Sequence, residues 1–205
     1  MPDVTETPPR SLVLASSSAY RKALLQRLGL PFSTRVPDVD ESPVPGEDPS
    51  NLVVRLASIK AEAVQPHYPQ ALIIGSDQVA ICEGRLLGKP GHFAAACEQL
   101  RTLSGRRVRF LTGLVLLNAE TRQMQLACIP FDVHFRSLRE EQIRRYLSAE
   151  QPFGCTGGFK SEGLGIALVK KMEGEDPTAL IGLPLIRLVG MLRNEGIDVL
   201  APEGG

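Results

Sequence analysis

Apolar residues along this chain follow two rhythms, and their alternation predicts an α/β protein. Short unbroken apolar runs mark buried strands: SLVLAS at 11–16, LIIGSDQVAI at 72–81 and IALV at 166–169. FSTRV at 32–36 reads as another strand. VRFLTGLVLLN at 108–118 and MQLACIPFDVHFR at 124–136 read as two long antiparallel strands joined around AETRQ. Between these runs the apolar spacing changes to three or four. AYRKALLQRL at 19–28 puts Ala23, Leu24 and Leu28 on one helix face, with Ser18 as cap and Gly29 as stop. Asp48-Pro49 opens a helix to about Val64, because Asp caps and Pro suits the first turn. Further helices are predicted over 92–103, ending at Gly105, from a Ser137–Glu140 capping box to about Ala149, and over roughly 184–194. EGRLLGKPG at 83–91 reads as a turn and QPFGCTGGFKSEGLG at 151–165 as a loop. Interleaved strands and helices with one antiparallel pair point to a mixed sheet flanked by helices.

Composition narrows the function classes. The chain has 205 residues, 43% hydrophobic and 22% charged, enough for one domain with a sizeable core. Its 23 basic and 23 acidic residues cancel, which argues against the broad basic footprint of a nucleic-acid or membrane-surface binder but permits a local basic pocket. No apolar run approaches the roughly 18 residues of a membrane helix. MPDVTETPPR lacks the layout of a signal peptide. The expected division is a disordered leader at 1–10, a single domain at 11–196 and a flexible tail at 197–205, in a cytoplasmic protein. Cys82, Cys97, Cys128 and Cys155 show no metal or disulfide spacing and are expected as reduced thiols. His67, His92 and His134 lack triad or zinc spacing.

The candidate chemistry is a set of cations facing a set of acids. Ser16, Ser18 and Arg21 stand where the first strand turns into a helix, a place with free N–H donors. They read either as a plain capped helix with a solvated arginine or as a phosphate site. Lys60 falls on the apolar stripe of its helix, so it either snorkels outward or enters a cleft. Lys89, in GKP, is a turn residue or a ligand for an anion. Asp77 follows the apolar start of the 72–81 strand, which either ends or bends there, and strand ends are where α/β folds place ligands. Glu41 closes the acidic DVDE run, which is a solvated loop or part of a site for Mg²⁺ or Mn²⁺. GCTGGFKS at 154–161 is a near miss for a phosphate loop: Phe159 breaks the register and a strand is expected next, not a helix.

Taken in order, these pieces resemble the Maf family of nucleotide pyrophosphatases. LASSSAYRKALL matches its opening Ser-x-Ser-x-x-Arg signature, and VDE (39–41), RLASIKA (55–61), IIGSDQV (73–79), GKP (88–90) and LTG (111–113) follow at family-like spacing. PFDVHFR, FKSEG and GLPL resemble the branch associated with 7-methyl-GTP. The resemblance implies an elongated two-lobed fold with a central cleft, similar to inosine-triphosphate pyrophosphatases. It implies hydrolysis of a nucleoside triphosphate to its monophosphate and pyrophosphate with Mg²⁺, Mn²⁺ or Co²⁺, and homodimers are usual in the family. By that match Asp77 is the water-activating acid. Ser16, Ser18 and Arg21 contact phosphate, Lys60, Lys89 and Lys160 neutralise it, and Glu41 joins Asp77 at the metal. Tyr20, Gln78 and Glu162 match the positions that separate branches by substrate. Ala19 and Lys22 depart from the signature, which commonly has Pro and a second Arg there, and the branch more often carries Trp than Tyr at position 20. Readings left beside this one are the same chemistry on dTTP or UTP, and a non-catalytic nucleotide-binding regulator of septum formation.

Overall fold

Residues 10–201 are described by the computed structural model, so positions 1–9 of the expected leader and 202–205 of the expected tail lie outside it. The order of elements is β1 (Leu12–Ala15), α1 (Ala19–Gln26), β2 (Phe32–Arg35), α2 (Pro49–Val64), β3 (Leu72–Cys82), β4 (Arg85–Leu87), α3 (Phe93–Leu103), β5 (Arg107–Asn118), β6 (Met124–Phe135), α4 (Glu140–Glu150), β7 (Val169–Glu173), α5 (Pro177–Ile181) and α6 (Leu185–Asn194). The strands form one seven-stranded mixed sheet in the order β2-β1-β3-β5-β6-β7, with β4 added on β3. β1 runs parallel to both β2 and β3, and the remaining pairs are antiparallel.

Side-chain alternation along β3 and β5 divides the core. Odd positions face α2: Ile73, Val115 and Leu117 pack there with Ala57, Ala61 and Val64. Even positions face the other helices and form two separate clusters. At one end Leu72, Ile74, Leu114 and Leu116 meet α1 and α6, and at the other Ala80, Cys82, Val108 and Phe110 meet α3 and α4. Two lobes therefore hang on the same long strands. Helix α2 lies close because two glycines admit it. A Cβ on Gly75 would stand 2.0 Å from the Ala57 carbonyl oxygen, and one on Gly113 would stand 2.1 Å from that of Val53.

The edge of the sheet has a gap. β1 pairs with β3 only as far as Gly75, and β4 takes up pairing only at Ala80. Ser76 to Val79 thus have β5 on one side and no strand on the other.

Several boundaries differ from the sequence reading. EGRLLGKPG contains a short strand, β4, because Glu83 and Gly84 adopt positive φ and turn the chain back on β3. The Ser137–Glu140 capping box does not form; instead Gln142 Oε1 accepts the Arg139 N–H at 2.9 Å. IALV is not a strand. Residues 164–168 form a 3₁₀ turn, and β7 follows as VKKME, whose mixed polarity suits an exposed edge. A four-residue apolar run does not distinguish a strand from a helical turn. The five-residue α5 was not foreseen. Arg10 donates to Glu195 at 2.9 Å, and Ile197 and Val199 pack on the core. All four cysteines are free, and no helix among the described residues is long and apolar enough to cross a membrane.

Candidate active site

Three parts of the chain meet at the gap in the sheet. The first is the turn from β1 into α1. Ser16 is buried, and its Oγ accepts the Ser18 N–H at 3.1 Å, while Ser18 Oγ accepts the Arg21 N–H at 3.3 Å. The N–H groups of Ala19 and Tyr20 take no protein acceptor among the described residues. Free donors at the positive end of a helix suit an anion. Half-buried Arg21 donates its Nε–H to the Gly182 carbonyl at 2.8 Å, which fixes the guanidinium at the cleft wall. Burial pushes its pKa down, and the Asp77 and Glu41 carboxylates nearby push it back up.

The second part is the contact of α2 with β3. Lys60 is 5% exposed, and its Nζ lies 2.6 Å from Asp77 Oδ1 and 2.9 Å from Glu41 Oε1. Of the two placements open in the sequence, the ammonium takes the cleft. A buried lysine needs such partners, because an unpaired ammonium there would be strongly destabilising. Asp77 Oδ2 makes no hydrogen bond to protein among the described residues and is left for a ligand. Glu41 arrives from the acidic loop, whose neighbour Glu47 is clamped by Arg55 through two bonds of 2.7 and 2.8 Å.

The third part is the set of loops closing the far wall. Lys89 comes from the turn after β4 and has no ion-pair partner among the described residues. That turn is tied to the 154–158 loop through Gly157 N–H, which donates to the Gly88 carbonyl at 3.0 Å. Cys155, Thr156 and Glu162 line the cleft from the same loop. From α5 come the Leu180 and Gly182 carbonyls: Ser76 Oγ lies 2.9 Å from Gly182 O, and Gln78 Nε2 lies 3.0 Å from Leu180 O.

Every candidate site residue except Lys160 lines this one cleft, which has a volume of about 580 Å³, suited to a small ligand. Lys160 is committed elsewhere. Its ammonium pairs with Glu150 on α4 and sits 5.9 Å from the Tyr20 ring centroid. That contact, and the Leu164 N–H at 2.7 Å, hold the Glu150 carboxyl below the usual carboxylate range; Glu150 in turn raises the Lys160 pKa. Tyr20, at the rim, is 39% exposed, and its phenol pKa is raised by the Cys155 thiol and by burial.

The α5 carbonyls left no trace in the sequence, since any residue carries a carbonyl. Thr112 was within reach only as part of the LTG match. Among the described residues no group of three or more His, Cys, Asp or Glu could hold a metal by itself. Two carboxylates do meet, on Lys60, and a pair of oxygen ligands completed by water and substrate phosphates is the usual arrangement for Mg²⁺. The donor set therefore fits a hard divalent cation held jointly with a phosphate ligand.

Known proteins share this arrangement of sequence. A 7-methyl-GTP pyrophosphatase of Pseudomonas aeruginosa is 57% identical over 188 residues, 92% of this chain and 98% of that protein. Enzymes of the same name from Pseudomonas syringae pv. tomato and Colwellia psychrerythraea are 58% and 53% identical, covering 92% and 95% of this chain and 98% and 97% of theirs. A Ham1 protein of Staphylococcus aureus overlays with a TM-score of 0.45 at 15% identity, over 62% of this chain and 73% of that one, too loosely to bear on function. A family model described as Maf-like protein matches residues 11–195, nearly the whole described chain, and the protein belongs to the Maf family.

Proposed function

We propose that the chain is a pyrophosphatase that hydrolyses 7-methyl-GTP to 7-methyl-GMP and pyrophosphate. The observation that carries this reading is the meeting of Asp77, Lys60 and Glu41 in a cleft walled by the Ser16–Arg21 turn and Lys89, in a chain over half identical to enzymes of that name. The chemistry needs an oriented water and a place for negative charge on a phosphoryl group. Asp77 Oδ2 accepts a proton from that water while Lys60 holds Oδ1, so the carboxylate cannot rotate away. The water oxygen bonds to the α-phosphorus, the bond from that phosphorus to the bridging oxygen breaks, and pyrophosphate leaves with the electron pair. Arg21, Lys89 and the α1 N–H groups receive the phosphate charge. Lys160, paired with Glu150 and 5.9 Å from the Tyr20 ring centroid, is the remaining cation proposed for the phosphates, reaching them from the rim. When bound, a divalent cation on Asp77 and Glu41 supplies charge neutralisation and a more acidic water.

Base choice follows from the rim. A 7-methylated guanine is cationic, so it favours the Tyr20 ring and the Glu162 carboxylate over neutral bases. The test is a panel of GTP, 7-methyl-GTP, dTTP and UTP with Mg²⁺, Mn²⁺ or Co²⁺, scoring pyrophosphate and monophosphate. The highest kcat/KM is expected for 7-methyl-GTP. Equal values for GTP and 7-methyl-GTP, or no pyrophosphate from any of them, would overturn the reading.

A further inference from the structure

Gln78 has a carboxamide whose two ends are chemically opposite, so its use depends on which end meets the ligand. Its Nε2 lies 3.0 Å from Thr112 Oγ1, 2.9 Å from the Ala179 carbonyl and 3.0 Å from the Leu180 carbonyl. The two carbonyls are acceptors only. Thr112, at 1% exposure, sits directly across the ladder from Gln78. Its hydroxyl has a single proton, and the Ala179 carbonyl, 2.9 Å away, takes it. The hydroxyl can then only accept from Gln78. Turning the amide over would press Oε1 against the two carbonyl oxygens and would draw the Thr112 proton away from Ala179. The NH₂ end is therefore fixed toward α5, and Oε1, with no protein partner among the described residues, is the end left for the cleft that Gln78 lines.

We infer that Thr112 is a positioning residue: with the α5 carbonyls it locks Gln78 so that this side chain presents only an acceptor, and thereby selects a base edge with the guanine pattern, a ring N–H beside a 2-amino group. This rests on the pyrophosphatase reading for its substrate, but the lock itself is a property of the free protein. Guanine offers an N1–H and a 2-amino group side by side, whereas adenine presents a bare ring nitrogen at position 1, and its one donor, the 6-amino group, stands where guanine carries a carbonyl. A buried acceptor left facing another acceptor is heavily penalised, which makes this kind of recognition selective.

Two measurements separate the inference from the reading beneath it. The first needs no turnover: amide NMR of the free protein, comparing wild type with Thr112→Val and Thr112→Ser. The Gln78 side-chain NH₂ pair is expected to be protected from exchange in wild type, to lose at least tenfold of that protection in Thr112→Val, and to regain most of it in Thr112→Ser. A wild-type pair exchanging like a free carboxamide overturns the lock. The second is kinetic, with GTP, 1-methyl-GTP, ITP and 2′-deoxy-GTP. Wild type is expected to lose tenfold or more in kcat/KM when N1–H or the 2-amino group is removed, carried mainly by KM. Thr112→Val should shrink that discrimination, and Thr112→Ser should restore it. Discrimination unchanged in Thr112→Val, at a melting temperature matching wild type, removes Thr112 from recognition. A loss confined to 2′-deoxy-GTP shows that the oxygen reads the sugar and overturns the selection by base edge. Absence of turnover with every nucleotide counts against the pyrophosphatase reading, and the exchange data then decide the lock alone.

Discussion

Asp77 has one oxygen bound by Lys60 and the other directed to no protein group. Asp77→Asn keeps the shape of the side chain but removes the base, so kcat is expected to fall by about 10²–10⁴, the usual contribution of a positioned general base. The fold should persist, because Lys60 keeps Glu41 as a counter-charge. Stopped-flow or steady-state pyrophosphate release checks this, and near-wild-type kcat would exclude Asp77 from the proton transfer. At this scale the sequence was informative about which residues gather at the cleft and silent about what each touches. Lys60 was conspicuous because a charge interrupts an apolar stripe, an anomaly that survives without coordinates. The pairing of Lys160 with Glu150 was invisible, since a separation of ten positions fixes no distance.

Helix α2 shows how a backbone contact governs a side chain. Lys60 reaches Asp77 only because Gly75 and Gly113 let the helix lie against the strands. Gly75→Ala forces a Cβ into the Ala57 carbonyl, a backbone atom that cannot swing aside. The expected cost is about 2–3 kcal/mol, at the upper end for overpacking, with a drop in kcat/KM as α2 shifts Lys60. Gly190→Ala in α6 meets nothing within 4 Å and should instead stabilise by about 0.5–1 kcal/mol. Chemical denaturation of the two variants tests the contrast, and a neutral Gly75→Ala would show that α2 adjusts freely. Long periodic elements such as α2, β5 and β6 were legible because many residues repeat one message. Short ones were not: β4, α5 and the 164–168 turn each rest on three to five residues whose conformation is decided by their neighbours.

For the molecule as a whole, the cleft draws its walls from both lobes, so a bound nucleotide ties together clusters otherwise joined by the shared strands and by α5, whose Leu180 packs on one and Ile181 on the other. An uncleavable triphosphate analogue at 100 times its Kd should add about 2.7 kcal/mol to stability. For a domain of this size that is roughly 5–10 °C in Tm. Lys89→Ala should leave the Tm of the free protein unchanged, since the ammonium has no ion-pair partner, and should reduce the shift at the same ligand concentration. Calorimetry with and without the analogue decides this; an undiminished shift in the variant would place Lys89 outside the binding surface. The mixed α/β class was accessible from pattern and the two lobes with their cleft through the family resemblance, but the gap beside β3 was accessible from neither. It arises from where two pairings stop, and no local pattern records the end of a partner strand.

The alternation of β3 at that gap has one more consequence. Asp77 turns to α2, whereas Ser76 and Gln78 turn to α5. Consecutive codons thus encode the proposed base and the proposed selector, while the pleat gives them different neighbours. A lineage can rewrite the α5 side and acquire a new nucleotide without disturbing the ion cluster on the α2 side. Divergence in diet with constancy in chemistry is what a strand read alternately from its two faces permits.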